Sequence, residues 1–133
     1  MARRRPAHVR AGLSPKHPAP HTPVDGLDAR AQADVIALER SRLQPGAVAR
    51  GLRSWRAQLS RPARTLALTG DDMYPCCEDH CGRAVLETAL HALPRRSARR
   101  LRALVEPLDA EFISRTLPDP HACPEAPWWT GRM

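Results

Sequence analysis

Apolar residues recur every three or four positions in four segments of this 133-residue chain, which is the spacing of one face of an α-helix. The first predicted helix begins at a capping aspartate, Asp25 or Asp28, and is stopped by the Gln-Pro-Gly run at 44–46. The second helix is predicted from about Ala47 to Leu59. The apolar positions are Ala31, Val35, Leu38 and Arg42 or Leu43 in the first helix, and Val48, Leu52, Trp55 and Leu59 in the second.

Two further helices are predicted in the second half of the chain. The third runs from about Pro75 to Leu93, and the fourth is capped by Ser97. Pro107 must kink or divide the fourth helix, because proline lacks the backbone N–H that a helix interior requires. The apolar positions are Cys81, Val85, Leu86, Ala89, Leu90 and Leu93 in the third helix, and Leu101, Leu104, Val105, Leu108 and Phe112 in the fourth.

The pattern therefore predicts an all-α fold, an irregular bundle of about four helices in one domain at 25–133. Residues 61–74 form a connector, in which 65–69 alternate and allow a short strand without an obvious partner. Residues 1–24 hold five of the 14 prolines and show no apolar periodicity, so we expect a disordered basic arm. The segment 117–133 is predicted to be a C-terminal tail containing prolines and the Trp128-Trp129 pair, for which a core or lid position is favoured over an exposed docking anchor.

The formal charge of +7 is concentrated at the N-terminus, where residues 1–24 contribute +5. Residues 25–72 contribute +2, and residues 73–133 are neutral. The folded part is thus close to neutral, which favours a protein partner over nucleic acid. No apolar stretch is long enough to span a bilayer, and no apolar region follows the basic start, so neither a membrane partner nor a secretory signal is expected.

A cytoplasmic location is the remaining expectation, and thiols are normally reduced in that compartment. The four cysteines then favour metal binding, thiol redox chemistry or simple burial over structural disulfides. No glycine-rich phosphate loop and no serine–histidine–aspartate arrangement is recognisable. We therefore expect a non-enzymatic protein with no evident small-molecule substrate.

The cysteine–histidine run at 76–81 is the one cluster suited to chemistry. Helical spacing places Cys77, His80 and Cys81 side by side and turns Cys76 away. A tetrahedral zinc ion needs four such ligands, and the tail could supply the rest if it folds back over the third helix. The shell is then either Cys77, Cys81, His121 and Cys123 or Cys77, His80, Cys81 and Cys123. Burial of small thiols and thiol redox chemistry stay open as alternatives.

A dense basic run begins the fourth helix. It comprises Arg95, Arg96, Arg99, Arg100 and Arg102. Arginines at a helix N-terminus oppose the helix dipole, so this run predicts either an external acidic group, such as phosphate, or pairing within the fold. The internal candidates are Asp71, Asp72, Glu78 and Asp79. On the third helix, Glu87 and His91 are four residues apart and can form a carboxylate–imidazole pair.

Four segments together resemble a family of short, arginine-rich actinobacterial proteins with no assigned activity. They are the run at 76–81, the Leu-Pro-Arg-Arg link at 93–96, residues 101–109 and the closing Pro127-Trp128-Trp129. The resemblance covers roughly residues 50–130 and implies an actinobacterial, cytoplasmic origin without supplying catalytic residues.

These observations lead to one principal hypothesis and two alternatives. The principal hypothesis is a macromolecular-interaction module that is stabilised by a cysteine–histidine zinc site. The first alternative is a nucleic-acid-associated accessory protein that uses the basic arm and the 95–102 run. The second is a thiol redox sensor with a reactive cysteine in the cluster.

Overall fold

The computed structural model describes residues 21–66 and 81–133, with the backbone alone for Thr65 and Cys81. Within these ranges the fold is all-α, as the sequence predicted, and its one β feature is an isolated bridge between Pro118 and Arg132. The predictions for the arm up to residue 20, for Cys76, Cys77 and His80, and for the start of the third helix lie outside the described residues. The helices are α1 (Ala29–Ser41), α2 (Ala47–Leu59), α3 (Ala63–Leu66), α4 (Cys81–Ala92) and α5 (Arg95–Arg115).

Helix α1 begins at the predicted cap. The side chain of Asp28 accepts a hydrogen bond of 2.8 Å from the backbone N–H of Ala31. That hydrogen bond is the main cause of a lowered pKa of Asp28, and the positive charge of nearby arginines acts in the same direction. Desolvation by burial acts in the opposite direction and is outweighed. The four residues before Asp25 were assigned to the arm, yet Val24 is buried and exchanges two hydrogen bonds with the side chain of Gln32.

Helix α2 has the predicted bounds, and its N-terminus is capped by a residue from α1 that the sequence pattern did not reveal. Glu39 is buried, and its carboxylate accepts hydrogen bonds from the backbone N–H groups of Gly46, at 2.9 Å, and Val48, at 3.1 Å. A carboxylate is favourable at the positive end of a helix. Gly46 has a φ of +76°, which allows the tight turn between the two helices.

The connector after α2 is partly helical. Thr65 and Leu66 belong to α3, so the alternative of a strand is wrong for these two residues. The segment between α2 and α3 is held against the C-terminal end of α5, because Arg115 donates hydrogen bonds to the backbone carbonyls of Leu59 and Arg61. Gln58 of α2 holds α3 in place by donating a 2.8 Å hydrogen bond to the carbonyl of Leu66.

Helix α5 differs from its prediction at two positions. Pro94 occupies the N-cap, and Ser97 lies inside the first turn, where it is buried and donates a 2.5 Å hydrogen bond to Asp34 of α1. The prediction that Ser97 caps the helix is therefore wrong. Pro107 does not divide the helix, which continues unbroken from Arg95 to Arg115, and its side chain is exposed.

The core lies between α2, α4 and α5. Helices α2 and α4 cross so closely that a Cβ added to Gly82 would lie 2.8 Å from the Cβ of Ser54 and 2.9 Å from the carbonyl oxygen of Gly51. Only glycine fits at such a contact. No helix in the described ranges is long and apolar enough to cross a membrane. The largest fully buried apolar side chains are Trp55, Phe112, Leu66, Leu86 and Leu101.

Candidate functional site

A buried arginine joins the two long helices of the second half of the chain. Arg83 of α4 is only 4% exposed and forms a two-point ion pair with Asp109 of α5, with Nε–Oδ1 and Nη2–Oδ2 distances of 3.0 Å. Its Nη1 donates a 2.8 Å hydrogen bond to Glu87. Trp55 of α2 donates its indole N–H to the same Asp109 carboxylate at 3.0 Å. Helices α2, α4 and α5 therefore meet at the hydrogen-bonded pair of Arg83 and Asp109. A buried charge is tolerated in a protein when it is paired and hydrogen-bonded in this way.

The C-terminal tail closes over this arginine. The Arg83 guanidinium carbon lies 4.7 Å from the ring centroid of Trp129 and 5.5 Å from that of Trp128. Trp129 is buried and Trp128 is partly exposed, so the predicted core or lid position of the tryptophans is confirmed. Trp128 also makes an edge contact with Phe112, at 6.2 Å between centroids. Cation–π and aromatic contacts thus hold the tail on α4 and α5.

The tail has internal structure of its own. Leu117 and Met133 exchange two backbone hydrogen bonds of 2.7 and 2.8 Å, and the N–H of Asp119 donates to the carbonyl of Gly131. Arg132 donates hydrogen bonds to Thr116 and to the carbonyl of Ile113. The zinc hypothesis was expected to explain how a tail with few apolar residues becomes ordered. These hydrogen bonds connect the two ends of the tail and hold it against the end of α5.

Glu87 and His91 form the predicted carboxylate–imidazole pair. The Oε1–Nε2 distance is 2.9 Å, and His91 is 78% exposed while Glu87 is about one third exposed. Partial burial alone would raise the pKa of Glu87, but the hydrogen bonds from Arg83 and His91 outweigh burial and lower it. Glu87 is thus held as a carboxylate between a buried cation and a surface imidazole.

The five arginines of the 95–102 run are all exposed. Arg96 and Arg100 approach one carboxylate, that of Asp28 in α1, at 3.5 and 3.7 Å. Arg95, Arg99 and Arg102 form the neighbouring stripe of α5 and have no hydrogen bond or ion pair with any described residue. The alternative of pairing with the acids at 71–79 lies outside the described residues.

The proposed zinc ligands are only partly placed. His121 and Cys123 are exposed, and Cys123 is a free thiol. Cys77, His80 and the side chain of Cys81 lie outside the described atoms. The remaining, described part of the chain contains no group of three or more potential metal ligands. The structure therefore neither assembles the predicted shell nor separates its members.

Arg83 and Asp109 were missed by sequence reasoning. The one available signal was the four-residue spacing of Arg83 and Glu87, which usually marks an exposed helix pair. Asp109 shows no local sign of its role, because its partners are distant in the chain. Comparison of the chain with protein-family models, curated proteins and solved structures finds no match.

Proposed function

We propose that this protein is a non-enzymatic binding module that contacts the phosphate backbone of nucleic acid through an arginine surface. This surface is defined as Arg95, Arg96, Arg99, Arg100 and Arg102 at the N-terminal end of α5. The observation that carries the proposal is the stripe of Arg95, Arg99 and Arg102, which is exposed and unpaired among the described residues. Guanidinium groups bind phosphate oxygens in a two-point geometry.

The position of this stripe gives a physical reason to expect an external anion. The N-terminal end of a helix carries partial positive charge, so each arginine there is slightly unfavourable in the isolated protein. Asp28 and Asp34 of α1 lie beside the same helix end and offset part of this charge. A bound phosphate chain would offset the rest.

The basic character extends beyond α5. Arg53 and Arg56 of α2 line a small cleft of about 100 Å³ with residues 23–25. The following residue of that loop, Gly26, packs against Leu104 of α5. The 23–28 loop therefore has Arg53 and Arg56 of α2 beside its first residues and Arg96 and Arg100 of α5 beside Asp28. A broad positive surface suits a repeating phosphate chain better than a compact acidic protein face.

The balance of exposed charges supports the same choice of partner. Twelve of the sixteen described arginines are exposed, against four of the ten described acids, so exposed arginines outnumber exposed acids among the described residues. The exposed acids are Asp25, Glu106, Glu111 and Glu125. The exposed arginines are Arg30, Arg40, Arg42, Arg50, Arg53, Arg56, Arg64, Arg95, Arg96, Arg99, Arg100 and Arg102.

The test is binding of the full chain to a short mixed-sequence DNA duplex across a range of salt concentrations. We expect affinity to fall steeply with salt, and replacement of Arg95, Arg99 and Arg102 by Gln to reduce the salt slope by about 2 to 3. The matched control replaces Arg40, Arg50 and Arg64, which are exposed and lie on α1, α2 and α3 rather than on α5. Flat salt dependence, or equal loss in both triple variants, contradicts the proposal. Tighter binding to polyglutamate than to DNA would instead indicate an acidic protein partner.

A zinc site that stabilises the module is a second proposal, supported by the position of the tail. The ring of Trp129 lies over Arg83, two residues after Cys81, so the tail that carries Cys123 and His121 returns to α4. The proposed ligands are Cys77, Cys81 and Cys123, with either His121 or His80 as the fourth. A cytoplasmic location, predicted with the actinobacterial resemblance, would keep these thiols reduced.

Metal analysis of protein purified without a histidine tag tests the zinc proposal. We expect one zinc per chain, lost in Cys81→Ser and Cys123→Ser and retained in Cys76→Ser, since Cys76 is predicted to face away. Metal-free protein that is fully folded contradicts it. Fast alkylation of a cluster thiol at neutral pH would support the thiol-sensor alternative in its place.

A further inference from the structure

A groove with mixed basic and apolar walls lies on the opposite side of α4 from the core. Its volume is about 470 Å³. The exposed side of α4 forms the floor, where the small side chains Ala84, Thr88 and Ala92 follow one another at four-residue spacing. Trp129 of the tail and Arg42 at the end of α1 complete the walls. Three separate segments of the chain are needed to build this groove.

The polar groups in the groove are donors to an anion. Arg42 is exposed and has no side-chain partner among the described residues. His91 uses Nε2 to contact Glu87, which leaves Nδ1 without a described partner. The Thr88 hydroxyl donates to the carbonyl of Ala84 at 3.1 Å, so it adds no donor. A guanidinium and an imidazole ring therefore line the same groove.

The one acid in the groove does not cancel this charge. Both carboxylate oxygens of Glu87 are engaged, one by buried Arg83 and one by His91. The hydrogen bonds of Arg83 and His91 lower the pKa of Glu87 and keep it ionised. Arg83 is paired with Asp109 as well as Glu87, so the unpaired charge of the lining is that of Arg42, and the tail contributes only Pro127 and Trp129.

The aromatic wall adds a preference for a flat apolar group. Trp129 is buried as a residue, and Arg83 occupies one face of its ring at 4.7 Å. Trp129 still contributes to the lining of the groove, together with Ala84 and Thr88. An aromatic wall and a small-residue floor suit a planar group, since largely apolar walls with a few placed polar groups are typical of ligand sites.

We propose that this groove binds a small organic anion that joins a phosphate or carboxylate group to a planar apolar body. Arg42 and His91 hold the anionic group, and Trp129 packs against the planar part. This site is separate from the arginine surface on α5, and its occupancy does not depend on nucleic-acid binding.

Nuclear magnetic resonance titration of the full chain with phenyl phosphate and with benzoate tests the proposal and separates the two anionic groups. We expect saturable shifts of the Trp129 indole N–H and the His91 ring. Phenol and inorganic phosphate, each lacking half of the ligand, are expected to bind about tenfold more weakly.

Variants locate the binding. Arg42→Gln and His91→Gln are each expected to weaken binding of the tighter-binding of the two compounds, phenyl phosphate or benzoate, about tenfold. Arg40→Gln is the matched control, because it removes the same charge two residues away, outside the groove lining. Equal weakening by Arg40→Gln and Arg42→Gln, absence of saturable shifts, or equally tight binding of inorganic phosphate would overturn the proposal.

Discussion

Arg83 and Arg99 are both arginines on helices of the same bundle, yet their surroundings are opposite. Arg83 is 4% exposed and uses three nitrogens to contact Asp109 and Glu87 beneath the tryptophans of the tail. Arg99 is exposed and has no partner among the described residues. The comparison shows that residue type does not decide the role of an arginine here. A guanidinium enclosed with its counter-ions supports the fold, whereas an exposed one is available to a partner.

The largest expected effect is the loss of the buried guanidinium. Arg83→Met leaves Asp109 and Glu87 without their cation, and breaking a buried pair costs about 3 to 5 kcal/mol of unfolding free energy. Urea denaturation measures this quantity. Arg99→Met is the matched control and should change stability by less than about 0.5 kcal/mol. Similar values for the two variants would remove the distinction between buried and exposed arginines.

A double substitution sharpens that result. Arg83→Met with Asp109→Leu should cost at least about 1 kcal/mol less than the sum of the single changes, because no charge of the pair is then left unmatched. Strict additivity of the two single changes would show that Arg83 and Asp109 act independently.

The second largest effect concerns the tail that covers Arg83. Trp129→Ala is expected to reduce stability by about 3 kcal/mol, since it removes a buried indole and the cation–π contact. Backbone hydrogen exchange should accelerate at Leu117 and Met133, whose mutual hydrogen bonds close the tail. Trp128→Ala should cost less because Trp128 is 38% exposed. Unchanged exchange in Trp129→Ala would mean that the tail holds its position without the indole.

A pH dependence of intermediate size is expected from Glu87. Its pKa lies below the ordinary value of 4.5, so its contribution to stability is complete above pH 4.5 and is lost as the pH falls through the lowered pKa. Denaturant unfolding at a series of acidic pH values measures this loss. Glu87→Gln should flatten the curve in that window, and a curve identical to the native one would show that Glu87 makes no contribution.

The smallest effect is expected on the arginine surface. Replacement of Arg95, Arg99 and Arg102 by Gln should raise stability by about 0.3 kcal/mol in total at low salt, because Arg95 lies in the first helical turn, where a cation opposes the dipole, and the other two lie beyond it. The gain should vanish at high salt, where exposed charges are screened. A large destabilisation in this triple variant would show that these arginines belong to the fold in the way that Arg83 does.

Much of the helical framework was predictable because its signals are local. The cap at Asp28, the Gln-Pro-Gly stop and the apolar stripe of α2 each depend on residues within a few positions of one another. The Glu87–His91 pair was also predictable, because helical spacing brings the two side chains together. The prediction for Ser97 was wrong because it considered only local contacts. Its hydroxyl was expected to cap its own helix, but it donates a hydrogen bond to Asp34, which is distant in the chain.

The sequence by itself determined the longer helical segments, their apolar faces and where the positive charge is concentrated, whereas the short helix α3 was not predicted. Only the tertiary structure decided that Arg83 is buried, that Glu39 caps a second helix and that a groove forms beside Trp129. Each of these features joins segments that are separated in the chain, as in the pair of Arg83 with Asp109. Hydrophobic periodicity indicates which face of a single helix is buried. Burial of a charge depends in addition on which other segment supplies the counter-charge and excludes water.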